Sequence, residues 1–273
     1  MKDFMYNKKY KVTIITVTYN SSKTLEKTIL SVISQSFSNS NIEYIIIDGG
    51  STDGTLDIIK KYQDKISKWV SEKDGGISDA MNKGIKMASG DFIGIIHADD
   101  WYEKDALENA LNAFINTGAD IVCGKVKYWQ NDKPDYIFFS DPSKLNQEMT
   151  INHPSVFIKN EIYKNYGMFD LKYKYAMDYD LILRYKIKGL KFVVIDRVIA
   201  NMSLDGASDR NWRKALYESY FIKVANGVER KKAFCYYVWQ NIRSGLARFL
   251  KTSGFERILG FYRKHFSILK KEK

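Results

Sequence analysis

The run Glu72-Lys73-Asp74-Gly75-Gly76-Ile77-Ser78-Asp79-Ala80-Met81-Asn82-Lys83-Gly84, followed by Phe92-Ile93-Gly94-Ile95-Ile96 and then His97-Ala98-Asp99-Asp100, constrains the fold more than any other part of the chain. A glycine turn and a polar-faced helix start precede a short apolar strand, and a carboxylate pair emerges at the carboxyl end of that strand. In open α/β sheets such strand ends border the crevice where nucleotides and metals bind. The arrangement points to an enzyme that uses an activated phosphate ester.

Two βα units lie upstream. Lys11 to Thr18 alternates, is rich in β-branched residues and stops at Tyr19-Asn20-Ser21-Ser22, after which Leu25, Ile29, Val32 and Ile33 recur at helical spacing. Tyr44 to Ile47 forms the second strand, and Asp48-Gly49-Gly50-Ser51-Thr52-Asp53-Gly54-Thr55 is a turn opening a helix through about Tyr62. The glycines permit close backbone approach, and Asp48 at the strand end can accept hydrogen bonds from a nucleobase or ribose. Asp53 reads as a cap.

Asp99 and Asp100 have no apolar reason to sit at the end of a buried strand. Mg²⁺ or Mn²⁺ takes oxygen ligands and needs only one or two protein carboxylates when substrate phosphates supply the rest. The bland reading is that one of the two caps a helix running from Trp101 or Tyr102 to about Asn116. One helix start needs one cap, so the doublet favours a cation.

Further along, Asp178 and Asp180 precede Leu181, Ile182, Leu183 and Tyr185 in an apparent helix. Asp180 reads as a cap or as the i,i+4 partner of Arg184. Asp178 reads as a helix cap or as a general base.

Taken in order, Thr18-Tyr19-Asn20, Asp48 to Thr55, Glu72 to Gly84, Gly90-Asp91, Asp99-Asp100 and Met177 to Arg184 make residues 11 to about 200 resemble the family 2 glycosyltransferases, specifically bacterial members that build O-antigen and other surface polysaccharides. The resemblance implies an α/β fold of the GT-A type. This is a Rossmann-like, nucleotide-sugar-binding mixed sheet flanked by helices, here spanning 8–210, with a basic helical extension at 211–273. It implies metal-dependent, inverting transfer of a hexose or N-acetylhexosamine from a nucleotide sugar, expected to be a UDP-sugar, to a saccharide acceptor expected to be lipid-linked, with Mn²⁺ or Mg²⁺ as cofactor.

By the same resemblance Tyr19 and Asp48 contact the uracil, and Asp99 contacts ribose, metal or both. Asp100 shares the metal assignment, and Asp178 matches the general base. Thr18, Asn20, Gly49, Asp74, Gly75, Gly76, Asp79, Asn82 and Lys83 complete the expected nucleotide-sugar site. Three positions depart from the family pattern: His97 where many relatives carry an acid or asparagine, Met81 where many carry arginine, and Met177 where a glutamate usually precedes the base. His97 is read as a third ligand or as packing beside the pair. His153, in a loop entering a strand from Ser155 to Ile158, is read as a diphosphate or metal contact or as a loop histidine bonded to backbone.

Charge is unevenly spread. Residues 211–273 hold 15 Lys or Arg against 4 Glu, which accounts for the whole chain's net +11, so residues 1–210 are neutral. Phe234, Val238, Ile242, Leu246 and Phe249 recur at helical spacing, as do Phe255, Ile258, Leu259, Tyr262, Phe266 and Leu269. Basic amphipathic helices with aromatic faces suit an anionic membrane surface. The rival reading packs the stripes on the catalytic domain or a second subunit, and an oligomer is left open. On the membrane reading a cut near residue 210 leaves a soluble, active enzyme.

The two cysteines, Cys123 and Cys235, have neither metal-ligand spacing nor a disulfide framework. No stretch approaches the roughly 20 apolar residues of a membrane span, and the start of the chain lacks an apolar core for secretion. The expectation is a cytoplasmic enzyme, peripheral at the inner face of the cell membrane. Two other classes were weighed. A nucleotidyltransferase needs a basic phosphate-clamping loop after the first strand, which Thr18 to Ser22 does not offer. A non-catalytic protein with a nucleic-acid arm would stack bases on sheets or loops, against which the regular helical spacing of the tail argues, so no nucleic acid is expected.

Overall fold

The structure, a computed structural model, describes residues 10–36, 41–203, 211–253 and 271–272. Val12–Thr18 (β1) is buried along its entire length. Ile15 and Val17 pack on one side of the sheet and Val12 and Ile14 on the other, as side-chain alternation along a two-sided parallel strand requires. Leu25–Ile33 (α1) follows. Ile42–Asp48 (β2) pairs in parallel with β1, Thr55–Lys61 (α2) crosses over, and Lys68–Ser71 (β3) pairs in parallel with β2. Ile77–Met87 (α3) carries the chain back, and Phe92–His97 (β4) joins β1 on its other side, again in parallel. The chain thus switches direction across β1, which opens a crevice at the carboxyl ends of β1 and β4.

The remaining strands are mixed. After Trp101–Tyr102 (β5) and the helix Ala106–Thr117 (α4), Ile121–Gln130 (β6) turns at Asn131 and Asp132 into Lys133–Phe138 (β7). Both turn residues have left-handed backbones, φ 50° and 57°, as a tight hairpin demands. Phe157–Lys159 (β8) runs antiparallel to both β4 and β6 and leads into Asn160–Tyr166 (α5). Met177–Ile187 (α6) precedes Phe192–Ser203 (β9), which pairs in parallel with β6 and antiparallel with β5. Trp212–Ala225 (α7) and Arg230–Thr252 (α8) follow, and Lys271–Glu272 (β10) pairs with β7.

One core lies between the sheet and α1, α2 and α4, centred on Leu25, Ile29, Ile59 and Phe114; the other lies under α3 and α6, with Met81, Ile85, Leu181 and Leu183. Gly84 allows α3 to lie directly on β1, because a Cβ there would overlap the Ile15 side chain. Cys123 is buried in β6 and Cys235 is exposed on α8.

Several expectations are corrected. Trp101 and Tyr102 are strand, paired with Asn201 and Ala200, and the helix begins at Ala106, so neither Asp99 nor Asp100 caps it. The pairing with β9 overrides the helical reading. The expected strand from Ser155 to Ile158 is a 3₁₀ turn at His153–Ser155 followed by β8 at Phe157–Lys159.

Helices α7 and α8 pack on the rest of the chain through one face. Ile222 is fully buried, and Arg243 forks onto the Glu148 carboxylate, which also accepts from Gln240 Nε2 at 3.2 Å. Lys223, fully buried, donates to Gln240 Oε1 at 3.3 Å, and burial pushes its ammonium down to about 8. Among the described residues no helix is long and apolar enough to cross a membrane.

Candidate active site

A cleft of about 570 Å³ opens where the switch point predicts, and His97, Asp99, Asp100, His153 and Asp178 all line it. Each reaches it by a different route: β4 ends at His97, the turn behind it presents the two aspartates, the 3₁₀ turn delivers His153, and the first turn of α6 delivers Asp178. His153 Nε2 stands 4.0 Å from Asp178 Oδ1, too far for a direct hydrogen bond. Asp178 Oδ1 and His153 Nδ1 are buried without a partner among the described residues.

Burial raises the Asp178 carboxyl to about 6, an effect that the nearby His97 partly offsets. Burial likewise lowers His153 to about 4. It lowers His97 too, with His153 adding to that shift and the Asp178 and Asp99 charges opposing it. At neutral pH the cleft therefore holds two uncharged imidazoles beside an ionised but poorly solvated carboxylate, the state of an effective base. Activity is expected to fall about tenfold per pH unit below a midpoint near 6 and to plateau above it, since only the ionised form can accept a proton. A pH–rate profile checks this; an acid limb near 4, where an unperturbed aspartate titrates, would remove Asp178 from that role.

The aspartate doublet is asymmetric. Asp100 is 2 % exposed, accepts from Ser203 N at 3.3 Å, and is held well above the usual carboxylate range by burial and then by Asp99. Asp99 is exposed to the cleft and no described residue donates to its carboxylate. No cluster of three or more His, Cys, Asp or Glu able to hold a metal occurs among the described residues. A hard cation bound mainly through phosphates does not need one, so Asp99, with Asp100 behind it, fits Mn²⁺ or Mg²⁺.

The expected nucleotide-binding residues divide into two groups. Thr18 ends β1 with its hydroxyl unpartnered, Tyr19 is 64 % exposed, and Gly49 lies against both Tyr19 and Asp74. A Cβ on Gly49 would come within 2.8 Å of Asp74 Oδ2, so the missing side chain keeps this shallow surface open. Asn20, at φ 48°, accepts from Thr52 N and ties the first βα turn to the second.

Asp48 corrects the expectation of a uracil contact. It is fully buried and accepts from Gly50 N, Ser51 N and Ser71 Oγ on Oδ2 and from Ser51 Oγ on Oδ1, so its own loop and β3 enclose the carboxylate. It builds the loop instead of touching the base. Asn82 is similarly consumed, exchanging two hydrogen bonds with the Phe169 backbone and so holding the turn that leads toward Asp178. Asp79 accepts from Gly75 N and pairs with Lys83, which also pairs with Glu72, while Asp74 accepts from Gly76 N. These contacts shape the glycine turn. Asp53 accepts from Thr55 N at the start of α2, and Asp180 pairs with Arg184 at 2.8 Å, both as expected.

The sequence reading missed the part played by α7 and α8. Trp212, Ser219, Gln240, Ser244 and Arg248 wall the cleft opposite β4, so the extension belongs to the site. Glu218 on α7 accepts from the backbone N–H groups of Lys174, Tyr175 and Ala176, and thereby fixes the turn that enters the helix carrying Asp178. A cut near residue 210 would remove this clamp and one wall of the cleft, so a chain shortened there is expected to lose activity. Met81 and Met177, at two departures from the family pattern, are buried in the core under α3 and α6.

The Glycosyl transferase family 2 model matches residues 13–177. An uncharacterized glycosyltransferase of Mycobacterium tuberculosis is 30% identical over 189 residues, 63% of this chain and 68% of the relative. Among solved structures, Staphylococcus aureus TarS residues 1–349 in complex with UDP-GlcNAc superposes with a TM-score of 0.66 at 20% identity, over 82% of this chain and 69% of that one. The Pyrobaculum calidifontis mannosyltransferase in complex with GDP-Man and Mn²⁺ does so with a TM-score of 0.64 at 16% identity, over 96% and 88%. The sheet order, the site at the β1–β4 switch and the matched 13–177 segment converge on one conclusion: this chain is a glycosyltransferase of family 2, with the GT-A fold.

Proposed function

We propose that the chain transfers a hexose or N-acetylhexosamine from a UDP-sugar to a saccharide acceptor carried on a lipid, with inversion at the anomeric carbon and help from Mn²⁺ or Mg²⁺, in the synthesis of a surface polysaccharide. The observation that carries this reading is Asp178 Oδ1, buried, unpartnered and raised toward neutrality within the same cleft as Asp99. The donor's uracil rests on Tyr19, Gly49 and Asp74, and its diphosphate extends past the end of β4. When bound, the cation neutralises charge developing on the departing diphosphate. Asp99 is the carboxylate presented to hold it there.

Asp178 takes the proton from the acceptor hydroxyl as that oxygen attacks the anomeric carbon from the face opposite the diphosphate. One displacement at carbon inverts its configuration. The imidazoles of His97 and His153 line the same cleft, and His153, lowered to about 4 by burial, is a weaker base than Asp178. Tyr128, Tyr136, Tyr175 and Trp212 in the outer cleft offer flat faces against which a sugar ring packs. The TarS and mannosyltransferase complexes support a nucleotide-sugar donor and a divalent cation.

Incubation with UDP-, GDP- and dTDP-sugars plus a lipid-linked saccharide, scored by nucleoside diphosphate release and by NMR of the new linkage, tests the proposal. Acceptor-dependent UDP release with an inverted anomeric centre is the expected result. Release confined to a non-uridine donor, or a retained configuration, refutes the respective part.

A further inference from the structure

We infer that the outer face of α7 and α8 docks on the anionic surface of a lipid bilayer, which places the cleft beside its acceptor. This inference deepens the lipid-linked acceptor reading, although the docking itself is a physical property that needs no catalysis. Phe234, Val238, Ile242 and Leu246 succeed one another at four-residue intervals on α8, with Phe249 alongside, and they are 54%, 39%, 65%, 47% and 62% exposed. Gln240, Ser244 and Arg248 form a second four-residue row that faces the cleft. Two residues along an α-helix amount to a rotation of about 200°, so the two rows occupy opposite sides of one helix. The apolar row is therefore not a misplaced core stripe, because the helix already has its core and its cleft on the other side.

The surface continues onto α7. Tyr217 and Phe221, 55% and 45% exposed, pack edge to face at 4.8 Å. Tyr220 and Phe234 meet at 6.4 Å across the two helices and join their apolar faces. An exposed apolar surface extending over two helices marks a docking site.

Charge decides what docks. Helix α8 carries Arg230, Lys231, Lys232, Arg243, Arg248 and Lys251 and no Asp or Glu. Residues 254–273 carry six more Lys or Arg against two Glu, so that segment of the chain, like a second copy of α8, would bring positive charge onto positive charge. A leaflet rich in anionic lipid supplies the opposite sign, and the aromatic and aliphatic side chains then enter the boundary between headgroups and acyl chains. Glu148 already neutralises Arg243, Arg248 faces the cleft and Arg230 donates to Tyr220 Oη, which leaves the exposed Lys231 and Lys232 near the start of α8 for the headgroups.

Co-sedimentation of the full chain with phosphatidylcholine vesicles, with and without phosphatidylglycerol, tests the inference, with light scattering and thermal unfolding measured in parallel. Binding is expected only with phosphatidylglycerol present, weakening severalfold as salt rises from low to physiological strength. Combining Val238→Ser, Ile242→Ser and Leu246→Ser, which touches only exposed positions, should lower vesicle affinity about 100-fold or more while leaving the unfolding midpoint in place. Three results would overturn the proposal: no sedimentation at low salt, equal binding by the triple variant, or a dimer that the triple variant dissociates without any vesicle binding by the parent. Failure to release UDP in the donor panel would instead overturn the transfer reading and leave the vesicle result standing.

Discussion

Asp178→Asn is expected to lower transfer by about 10² or more while UDP-sugar binding changes little. Asparagine keeps the size of the side chain and can still hydrogen-bond to an acceptor hydroxyl, but it cannot take the proton. The same substitution should raise stability. An aspartate whose folded pKa of about 6 lies above its unfolded value binds more protons folded than unfolded between about pH 4 and pH 6, so it costs stability as pH climbs through that window. At pH 7 the full cost is present, and removing the charge should return about 1–2 kcal/mol, the 30 % exposure of the side chain trimming the larger figure that the shift alone would suggest. A capping aspartate would behave in the opposite way, since its loss weakens a helix. Transfer assays together with thermal unfolding at pH 7 separate the two cases. Near-normal turnover, or a lowered unfolding midpoint with turnover intact, would remove the base role from Asp178.

Chelation of divalent cations is expected to abolish transfer, and added Mn²⁺ or Mg²⁺ to restore it. Asp99→Ala should lose about 10² or more in rate and resist rescue at ordinary cation concentrations, because its carboxylate is the one exposed to the cleft. Asp100→Ala should act differently. It deletes a buried carboxyl that accepts from the Ser203 backbone, so a lowered unfolding midpoint should accompany its loss of activity. Transfer assays with and without chelator, and calorimetric titration of Mn²⁺ in the presence of UDP, check both statements. Full activity in excess chelator would remove the cation from the mechanism and leave Asp99 without its proposed work.

The fold was legible where a local signal and a tertiary requirement coincide. The strands at 12–18, 42–48 and 92–97 are short, β-branched and apolar because parallel strands are covered on both faces, and that demand is written into consecutive residues. The carboxylates at their ends stood out for the same reason: a buried strand has no use for them. Where the deciding contact is remote, the local reading failed. Trp101 and Tyr102 read as the start of a helix until Asn201 and Ala200, a hundred residues away, claim them as strand partners. Asp48 read as a ligand for a base because its four donors come from the loop it organises and from Ser71 on a neighbouring strand.

Sequence by itself determined the α/β class and singled out the strand-end acids that line the cleft, because periodicity and turn chemistry act over a few residues. Tertiary structure decided how those acids are set. Burial turned Asp100 inward and left Asp99 facing the cleft, raised Asp178 toward neutrality beside two uncharged histidines, and folded α7 and α8 back so that Glu218 fixes the turn into the helix that bears Asp178. Desolvation and distant hydrogen bonds depend on what surrounds a group in space, and the order of residues along a chain carries no direct record of that.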